Sequence, residues 1–196
     1  MGLFKNKYRI ESARLNNWDY GSAGRYFITI CTKNREHYFG EIQNGQMILS
    51  DIGKCAHREW VRTPLLRPDM DLLLGEFIVM PNHVHGIIII GKNEYNSGGY
   101  NYPFLENDAV YGRDAMHRVS TINRFGPQSK NLASVMRGYK SSVTTWARKH
   151  NLPFLWQERF YDHIIRNDRA FYRISKYITL NPQNWSKDRF WNDKNC

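Results

Sequence analysis

The sequence is poor in cysteine and lacks a long apolar segment. Its 196 residues include three cysteines, Cys31, Cys55 and Cys196, an odd number without a CxxC spacing. This pattern indicates neither a disulfide framework nor a cysteine zinc site. No apolar run approaches the roughly 20 residues that span a bilayer, and the N-terminus has no hydrophobic signal core. We therefore expect a soluble, cytoplasmic protein in a reducing compartment, with no membrane partner.

The chain has fewer acidic than basic residues. The chain has 28 Lys and Arg against 18 Asp and Glu, a formal net charge of +10, a pI near 9.6 and 14% aromatic residues. Cationic side chains bind phosphates, and aromatic rings offer stacking faces to unpaired bases. The composition favours a nucleic-acid partner and, inside a cell, association with the nucleoid.

The distribution of polar and glycine-rich stretches predicts one domain with appendages. A chain of 196 residues can bury a stable hydrophobic core without disulfides or structural metal ions. Residues 1–24 are polar and broken by glycines, which is typical of an arm. Residues 92–128 are rich in Asn, Ser, Gly and Tyr without clear periodicity, so we expect an exposed insertion there. The domain itself is predicted at 25–185, followed by a C-terminal tail at 186–196.

Hydrophobic periodicity predicts four main strands and three helices. Asn44-Gly45 indicates an additional short hairpin. The strands are expected at 26–32, 71–79, 83–90 and 155–166, and the helices between Ser50 and Pro64, at 129–150, and from the cap at Asn167 or Asp168 to Pro182. This order is that of the split βαβ or ferredoxin-like (RRM-like) α+β fold, an antiparallel sheet with two helices on one face.

The strand beginning at His83 carries the first candidate site. Side chains on a strand alternate faces, so His83 and His85 project to one side and Val84 to the other. The four isoleucines that follow, 87–90, are typical of an interior strand with both faces covered. We expect the two imidazoles to converge on one spot at the surface of the sheet, outside the deep core.

The last predicted helix carries a second group of polar residues. Phe171, Ile174 and Ile178 form its apolar stripe, and a neighbouring band places Tyr177 and Asn181 one turn apart. If this helix lies across the sheet face opposite the other two helices, Tyr177 and Asn181 reach the histidine pair. Arg173 lies one turn before Tyr177 on the same band.

Four stretches together resemble a known family. They are Asn82–Gly86, Leu155–Gln157, Asp162–Asn167 and Tyr177–Pro182, in that order. This set resembles the single-tyrosine HUH transposases, and within them the REP-associated tyrosine transposase branch. The resemblance covers roughly residues 24–185, and the family's ferredoxin-like fold matches the order derived above. It implies that the final helix carries the catalytic tyrosine.

The resemblance implies metal-dependent cleavage and rejoining of single-stranded or hairpin DNA. His83 and His85 are then metal ligands, Asn181 is a third ligand, and Tyr177 is the nucleophile that forms a 5′-phosphotyrosine. A phenol with a pKa near 10 is a modest nucleophile at neutral pH, so a divalent cation must neutralise the developing charge. Two imidazoles and one amide suit Mg²⁺ or Mn²⁺ better than a closed zinc site.

Other polar residues are candidates for holding DNA or for structural roles. Tyr161, beside Asp162, is a weaker nucleophile candidate because it alternates with apolar neighbours on the predicted strand. For Arg137 and Lys140 the alternative to DNA binding is an ordinary solvated helix face, and for His163 a structural or DNA-orienting role is favoured over metal binding. The candidate DNA-binding residues are Arg137, Lys140, His163, Arg166 and Arg173.

Two other functions stay open. One is a domesticated module that binds DNA hairpins without cutting them, and the other is a metal-dependent phosphodiesterase in which water attacks. The presence of His83, His85 and Tyr177 together favours the transposase chemistry. Monomeric and homodimeric forms are both compatible with the sequence.

Overall fold

A computed structural model describes residues 18–96 and 129–191. The first seventeen residues of the predicted arm, and 97–128 of the predicted insertion, lie outside the described residues, as do 192–196 of the predicted tail. The part of the arm that is described packs against the core through Trp18 and Tyr20. Within the described ranges, no helix is both long and apolar enough to cross a bilayer.

The described residues form six strands and three α-helices. They also form three short 3₁₀ helices, at Lys33–Arg35, Pro68–Met70 and Pro182–Lys187. The strands are β1 (Gly24–Cys31), β2 (Gly40–Gln43), β3 (Gln46–Leu49), β4 (Leu72–Met80), β5 (His83–Ile90) and β6 (Tyr161–Ile165), and the helices are α1 (Asp51–Arg62), α2 (Leu132–Lys149) and α3 (Asp168–Leu180).

The main sheet has the strand order β4-β5-β1-β6, and all of its pairings are antiparallel. With α1 between β1 and β4, and α2 between β5 and β6, this is the predicted ferredoxin-like topology. The fold class is therefore confirmed. The strands β2 and β3 form a separate hairpin, and Asn44 and Gly45 at its turn both have positive φ, as a two-residue hairpin turn requires.

Local signals fix the beginnings of the helices. The Ser50 hydroxyl accepts a hydrogen bond from Gly53 N at the start of α1, as predicted. The helix expected at 129–150 begins at Leu132, because Asn131 and Ser134 form a reciprocal capping box there. The strand expected at 155–166 is confined to β6, although Trp156 makes an isolated bridge to Thr32.

One face of the sheet packs against α1 and α2 and forms the main core. Trp60 of α1 is fully buried, stacks on Phe77 and meets Tyr139 of α2 edge to face. Its indole lies directly over Gly86 of β5, where an added Cβ would come within 2.3 Å of Trp60 Cζ2. The glycine after the second histidine therefore lets the tryptophan approach the central strand.

The opposite face of the sheet packs against α3. A smaller apolar cluster, centred on Phe27, Ile87, Ile165 and Ile178, joins this helix to the sheet. The expectation that the last helix crosses the sheet face opposite the other two helices is confirmed. Helices cover both faces of β5, which explains why its residues are apolar on both faces.

The chain does not leave the domain after α3. Pro182 was expected to end the helix, and α3 does end just before it, at Leu180; Pro182 then opens the 3₁₀ helix Pro182–Lys187. The described part of the predicted tail, residues 186–191, then packs over the start of β5, where Phe190 is 5% exposed. This covering segment sets the environment of the candidate site.

Candidate metal and nucleophile site

The two histidines lie side by side at the start of β5, on the α3 face of the sheet. Their ring centroids are 4.3 Å apart, and His83 and His85 are 0% and 1% exposed. The expectation that they lie at the sheet surface is wrong. Phe190 packs over both rings, at 4.6 Å and 5.7 Å between centroids, and Trp185 packs on His83.

Each imidazole is held through its Nδ1 atom. His83 Nδ1 lies 2.9 Å from Asn82 Oδ1, and His85 Nδ1 lies 2.8 Å from Thr29 Oγ1. Because an amide oxygen only accepts, His83 must donate from Nδ1, which leaves the lone pair on its Nε2. Such partners on the far nitrogen are the usual way in which proteins orient metal-binding histidines.

Tyr177 reaches the histidine pair from α3. Its hydroxyl lies 3.1 Å from His85 Nε2, and its ring meets Phe27 edge to face. The side chain is 43% exposed, so the hydroxyl faces both the buried imidazoles and the solvent. The predicted meeting of the last helix with the histidine strand is thus present in the structure.

Asp188 is a residue of this site that sequence reasoning missed. Its Oδ2 accepts hydrogen bonds from the Tyr177 hydroxyl at 3.2 Å and from Asn181 Nδ2 at 2.8 Å, while its Oδ1 accepts from Phe190 N at 2.7 Å. Ligand atoms of His83, His85 and Asp188 lie within 4.8 Å of one another, a grouping that could hold a metal ion. No local sequence pattern marks this aspartate, because the 3₁₀ turn after Pro182 brings it back to the site.

Two buried polar atoms at this site have no hydrogen-bond partner. They are His83 Nε2 and Asn181 Oδ1, both of which carry lone pairs. Buried polar atoms are nearly always satisfied, so an orphaned pair needs an explanation. A divalent cation held by the group of His83, His85 and Asp188 would satisfy His83 Nε2, and a donor set of imidazole nitrogen and carboxylate oxygen fits such an ion.

Burial keeps the two imidazoles neutral. It lowers the pKa of His83 well below its ordinary value, with repulsion from His85 adding to the effect. Burial also lowers the pKa of His85 to about 3, against the opposing attraction of Asp188. Neutral imidazole is the form that binds metals, so both rings are in their ligating state at neutral pH.

The Tyr177 phenol is held in its protonated form. Burial, followed by the negative charge of Asp188 and the hydrogen bond to it, raises the pKa of Tyr177 to about 12. A phenol in this state is a poor nucleophile unless positive charge is brought close to its oxygen or a base removes its proton. A cation held by the neighbouring group of His83, His85 and Asp188 would supply such positive charge.

The predicted DNA-binding residues are spread over the molecule. Arg173 lines the same cavity of about 230 Å³ as Tyr177 and Asn181. His163 is exposed on β6, on the face of the sheet that carries α3, and the exposed Arg166 directly follows that strand.

The two candidates on α2 lie apart from that cavity. Arg137 is an exposed residue on the opposite side of the sheet. Lys140 Nζ donates to the carbonyls of Gln157 at 2.7 Å and Arg159 at 3.2 Å. The ammonium group thus holds the loop before β6 in place.

Comparison with known proteins adds a family and a fold. No protein-family profile matches the chain. Over 184 residues, 93% of each chain, it is 38% identical to an uncharacterized protein of Haemophilus influenzae. The two proteins belong to one family. A solved structure of a REP-associated tyrosine transposase, bound to a REP hairpin, superposes with a TM-score of 0.52 at 17% identity, covering 94% of this chain and 76% of the other. At this identity the likeness establishes the shared fold.

Proposed function

We propose that this protein cleaves and rejoins single-stranded or hairpin DNA through a 5′-phosphotyrosine on Tyr177, in the manner of the single-tyrosine HUH transposases. The structural likeness to a transposase whose structure holds a REP hairpin supports a DNA partner. The net charge of +10 is suited to a polyphosphate ligand. The sequence motifs and the geometry of the site support the chemistry.

The contact between Tyr177 and His85 is the observation that carries the proposal. The tyrosine and the histidine are 92 positions apart in the chain, and their hydroxyl oxygen and Nε2 lie 3.1 Å apart. The Tyr177 ring packs against both Phe27 and the His85 ring, and its hydroxyl lies within hydrogen-bond distance of both His85 and Asp188. A nucleophile that must share a phosphate with a metal ion would be placed in this way.

The residues fit a divalent cation of the magnesium or manganese type. Nε2 of His83 and His85 and Oδ1 of Asn181 would hold it, and Asp188 brings a carboxylate to the same place. When bound, such an ion would polarise the phosphate oxygens and neutralise the charge that develops during attack. The contacts of Asn82 Oδ1 with His83 Nδ1 and of Thr29 Oγ1 with His85 Nδ1 hold both rings in place, with Nε2 left to face the ion.

The chain itself positions the nucleophile and the proton. Asp188 Oδ2 accepts the Tyr177 hydroxyl hydrogen bond and is the group placed to receive the phenol proton. Attack of the tyrosine oxygen on phosphorus forms the 5′-phosphotyrosine, breaks the bond to the 3′ oxygen, and leaves a 3′-hydroxyl once that oxygen takes up a proton. The reverse attack by a 3′-hydroxyl releases Tyr177 and rejoins the strand, so the phosphodiester energy is retained.

A denaturing gel tests this proposal against the two other functions. Protein is incubated with 3′-end-labelled single-stranded DNA and Mn²⁺, so that the label stays on the fragment joined to tyrosine, and the boiled samples are separated. A band of DNA shifted by covalent attachment to protein is the expected result. Free cleaved DNA without adduct would indicate hydrolysis by water. Bound but uncut DNA in a native gel, with no product in the denaturing gel, would indicate a hairpin-binding module. A matched His83→Ala sample should give no adduct.

A further inference from the structure

A second cavity lies beside the histidine pair, on the face of the sheet that carries α3. It has a volume of about 460 Å³, within the range of sites that take small organic ligands. It lies between the loop that leads into β6 and the covering segment, residues 186–191. We call it the arginine pocket. Its principal lining residues are Thr29, Arg35, Arg159, Tyr161, Arg189 and Phe190.

The arginine pocket shares two walls with the candidate active site. Thr29 lines the pocket and also contacts His85 Nδ1 at 2.8 Å. Phe190 lines the pocket and packs over both imidazoles. A ligand in the pocket is therefore separated from the two histidines by single side chains.

The pocket has a strong excess of positive charge. Arg35, Arg159 and Arg189 line it against one acidic residue, Glu158. The ion pairs found among the described residues involve other side chains, so these guanidinium groups keep their charge available to a ligand. Arg35 lies 4.2 Å over the Phe190 ring, which holds its planar head at the pocket wall.

The pocket also offers an aromatic face. Tyr161 begins β6 opposite Thr29 and is 42% exposed, although it belongs to a sheet strand. Arg189 lies 5.7 Å from the centre of its ring and 4.5 Å from that of Phe190. Cations beside a partly exposed ring are the combination that binds unpaired nucleotides.

The loop that carries Arg159 is held in a defined conformation. The Lys140 ammonium donates to the carbonyls of Gln157 and Arg159, and Trp156 Nε1 donates to the Lys140 carbonyl at 3.0 Å. Arg159 has a φ of 65°, a left-handed conformation that is rare for a residue with a side chain. Backbone strain that the surroundings maintain is concentrated at ligand-binding sites.

We propose that the arginine pocket binds one unpaired nucleotide of the DNA strand next to the phosphate that Tyr177 attacks, with the base on Tyr161 and the phosphate at Arg159 and Arg189. This inference rests on the proposed function and names where the single strand lies. The base must be unpaired, because a paired base has both neighbours stacked and cannot present its face to a side chain. The separate cavity that Tyr177 lines also carries basic residues, Arg173, Lys176 and Lys187, which could contact phosphates of the same strand.

Fluorescence anisotropy with two labelled probes tests the pocket. One probe is a short oligothymidylate, and the other is a blunt DNA hairpin without a single-stranded extension. Tyr161→Ala removes the stacking face, while Tyr161→Phe keeps the ring and removes the hydroxyl. Arg159→Gln removes one charge. Tyr172→Ala and Arg148→Gln, at exposed positions outside the pocket, serve as matched controls. Circular dichroism and thermal melting verify that each variant is folded.

Tyr161→Ala should weaken oligothymidylate binding about tenfold, the scale of one base–aromatic stack, with little change for the blunt hairpin. Tyr161→Phe should bind as the wild type does. Arg159→Gln should reduce the slope of log affinity against log salt by about 0.7, the value for one phosphate contact on a single strand. Wild-type affinity for oligothymidylate in both Tyr161→Ala and Arg159→Gln would overturn the assignment, as would an equal loss for both probes.

These binding measurements need no cleavage, so they separate the two proposals. If wild-type protein forms no covalent adduct but Tyr161→Ala still loses oligothymidylate selectively, the pocket stands and the transesterification fails. If the adduct forms and the pocket variants bind oligothymidylate as the wild type does, the transesterification stands and the pocket assignment fails.

Discussion

Asn82 is expected to control metal affinity although it is not placed as a ligand. It is 0% exposed, its Oδ1 accepts from His83 Nδ1, and its Nδ2 donates to Phe190 O at 2.9 Å and Arg35 O at 3.2 Å. The side chain thus fixes the His83 tautomer with one atom and ties the covering segment to the site with another. Substitutions that remove one or both of these hydrogen-bonding atoms of Asn82 distinguish the two roles.

Two substitutions at Asn82 should share a loss of stability and differ in metal affinity. Asn82→Leu removes the acceptor for His83, and loss of such a partner costs about 10- to 100-fold in metal affinity. It also leaves the buried Phe190 carbonyl without its donor, which costs about 1–3 kcal/mol of stability. Asn82→Asp loses the same donors but keeps an acceptor beside His83. We therefore expect both variants to be less stable than the wild type and only Asn82→Leu to lose metal affinity.

The assay is calorimetric titration of metal-free protein with MnCl₂, supported by melting curves at increasing Mn²⁺. A bound ligand stabilises the folded state by RT ln(1 + [L]/Kd), so the rise in Tm gives an independent affinity. Folded Asn82→Leu that binds Mn²⁺ as tightly as the wild type would refute the reasoning. Equal losses in Asn82→Leu and Asn82→Asp would show that the amide acts only through the covering segment.

Three further outcomes are expected. Gly86→Ala should lower the unfolding free energy, measured by urea denaturation, by about 1–3 kcal/mol, because its Cβ would lie 2.3 Å from the buried Trp60 side chain. Unchanged stability would contradict this packing. Burial lowers the pKa of His85 from 6.5 in the unfolded chain to about 3 in the folded protein. As the pH falls below 6.5, only the unfolded chain takes up this proton, so the stability of the folded protein declines. His85→Gln should show a shallower decline between pH 6.5 and pH 4, and an equal slope would contradict the burial argument. DNA binding should weaken with salt by about 0.7 in the log–log slope for each phosphate contacted on a single strand, and a slope near zero would exclude a phosphate-based interface.

The central parts of the site could be predicted because they follow from regular periodicities. The alternation of side chains on β5 places His83 and His85 on one face, and the helical repeat places Tyr177 and Asn181 on one band. The apolar run in β5 required cover on both faces, which is the reason that α3 could be placed opposite the other helices. The short connection between β4 and β5 indicated that these two strands pair antiparallel, and the order of strands and helices along the chain indicated the ferredoxin-like fold.

The rest depends on irregular chain, for which no periodicity exists. Asp188 and Phe190 enter the site after the 3₁₀ helix Pro182–Lys187, and no repeat relates them to the histidines. Their return explains why the histidines are buried and not at the surface. Lys140 likewise could not be assigned from its place on α2, since its carbonyl partners belong to a loop that meets the helix only in the folded protein.

The identity of the nucleophile is the claim on which the account depends. The most direct measurement incubates wild type, Tyr177→Phe and Tyr161→Phe with end-labelled single-stranded DNA and Mn²⁺, then maps any nucleotide-bearing peptide by mass spectrometry. Tyr177→Phe keeps the ring against Phe27 and loses only the hydroxyl that lies 3.1 Å from His85 Nε2, so it should stay folded, bind DNA and form no adduct. In the wild type and in Tyr161→Phe, the nucleotide should map to Tyr177. Adduct formed by Tyr177→Phe, or a nucleotide that maps to Tyr161, would contradict the account.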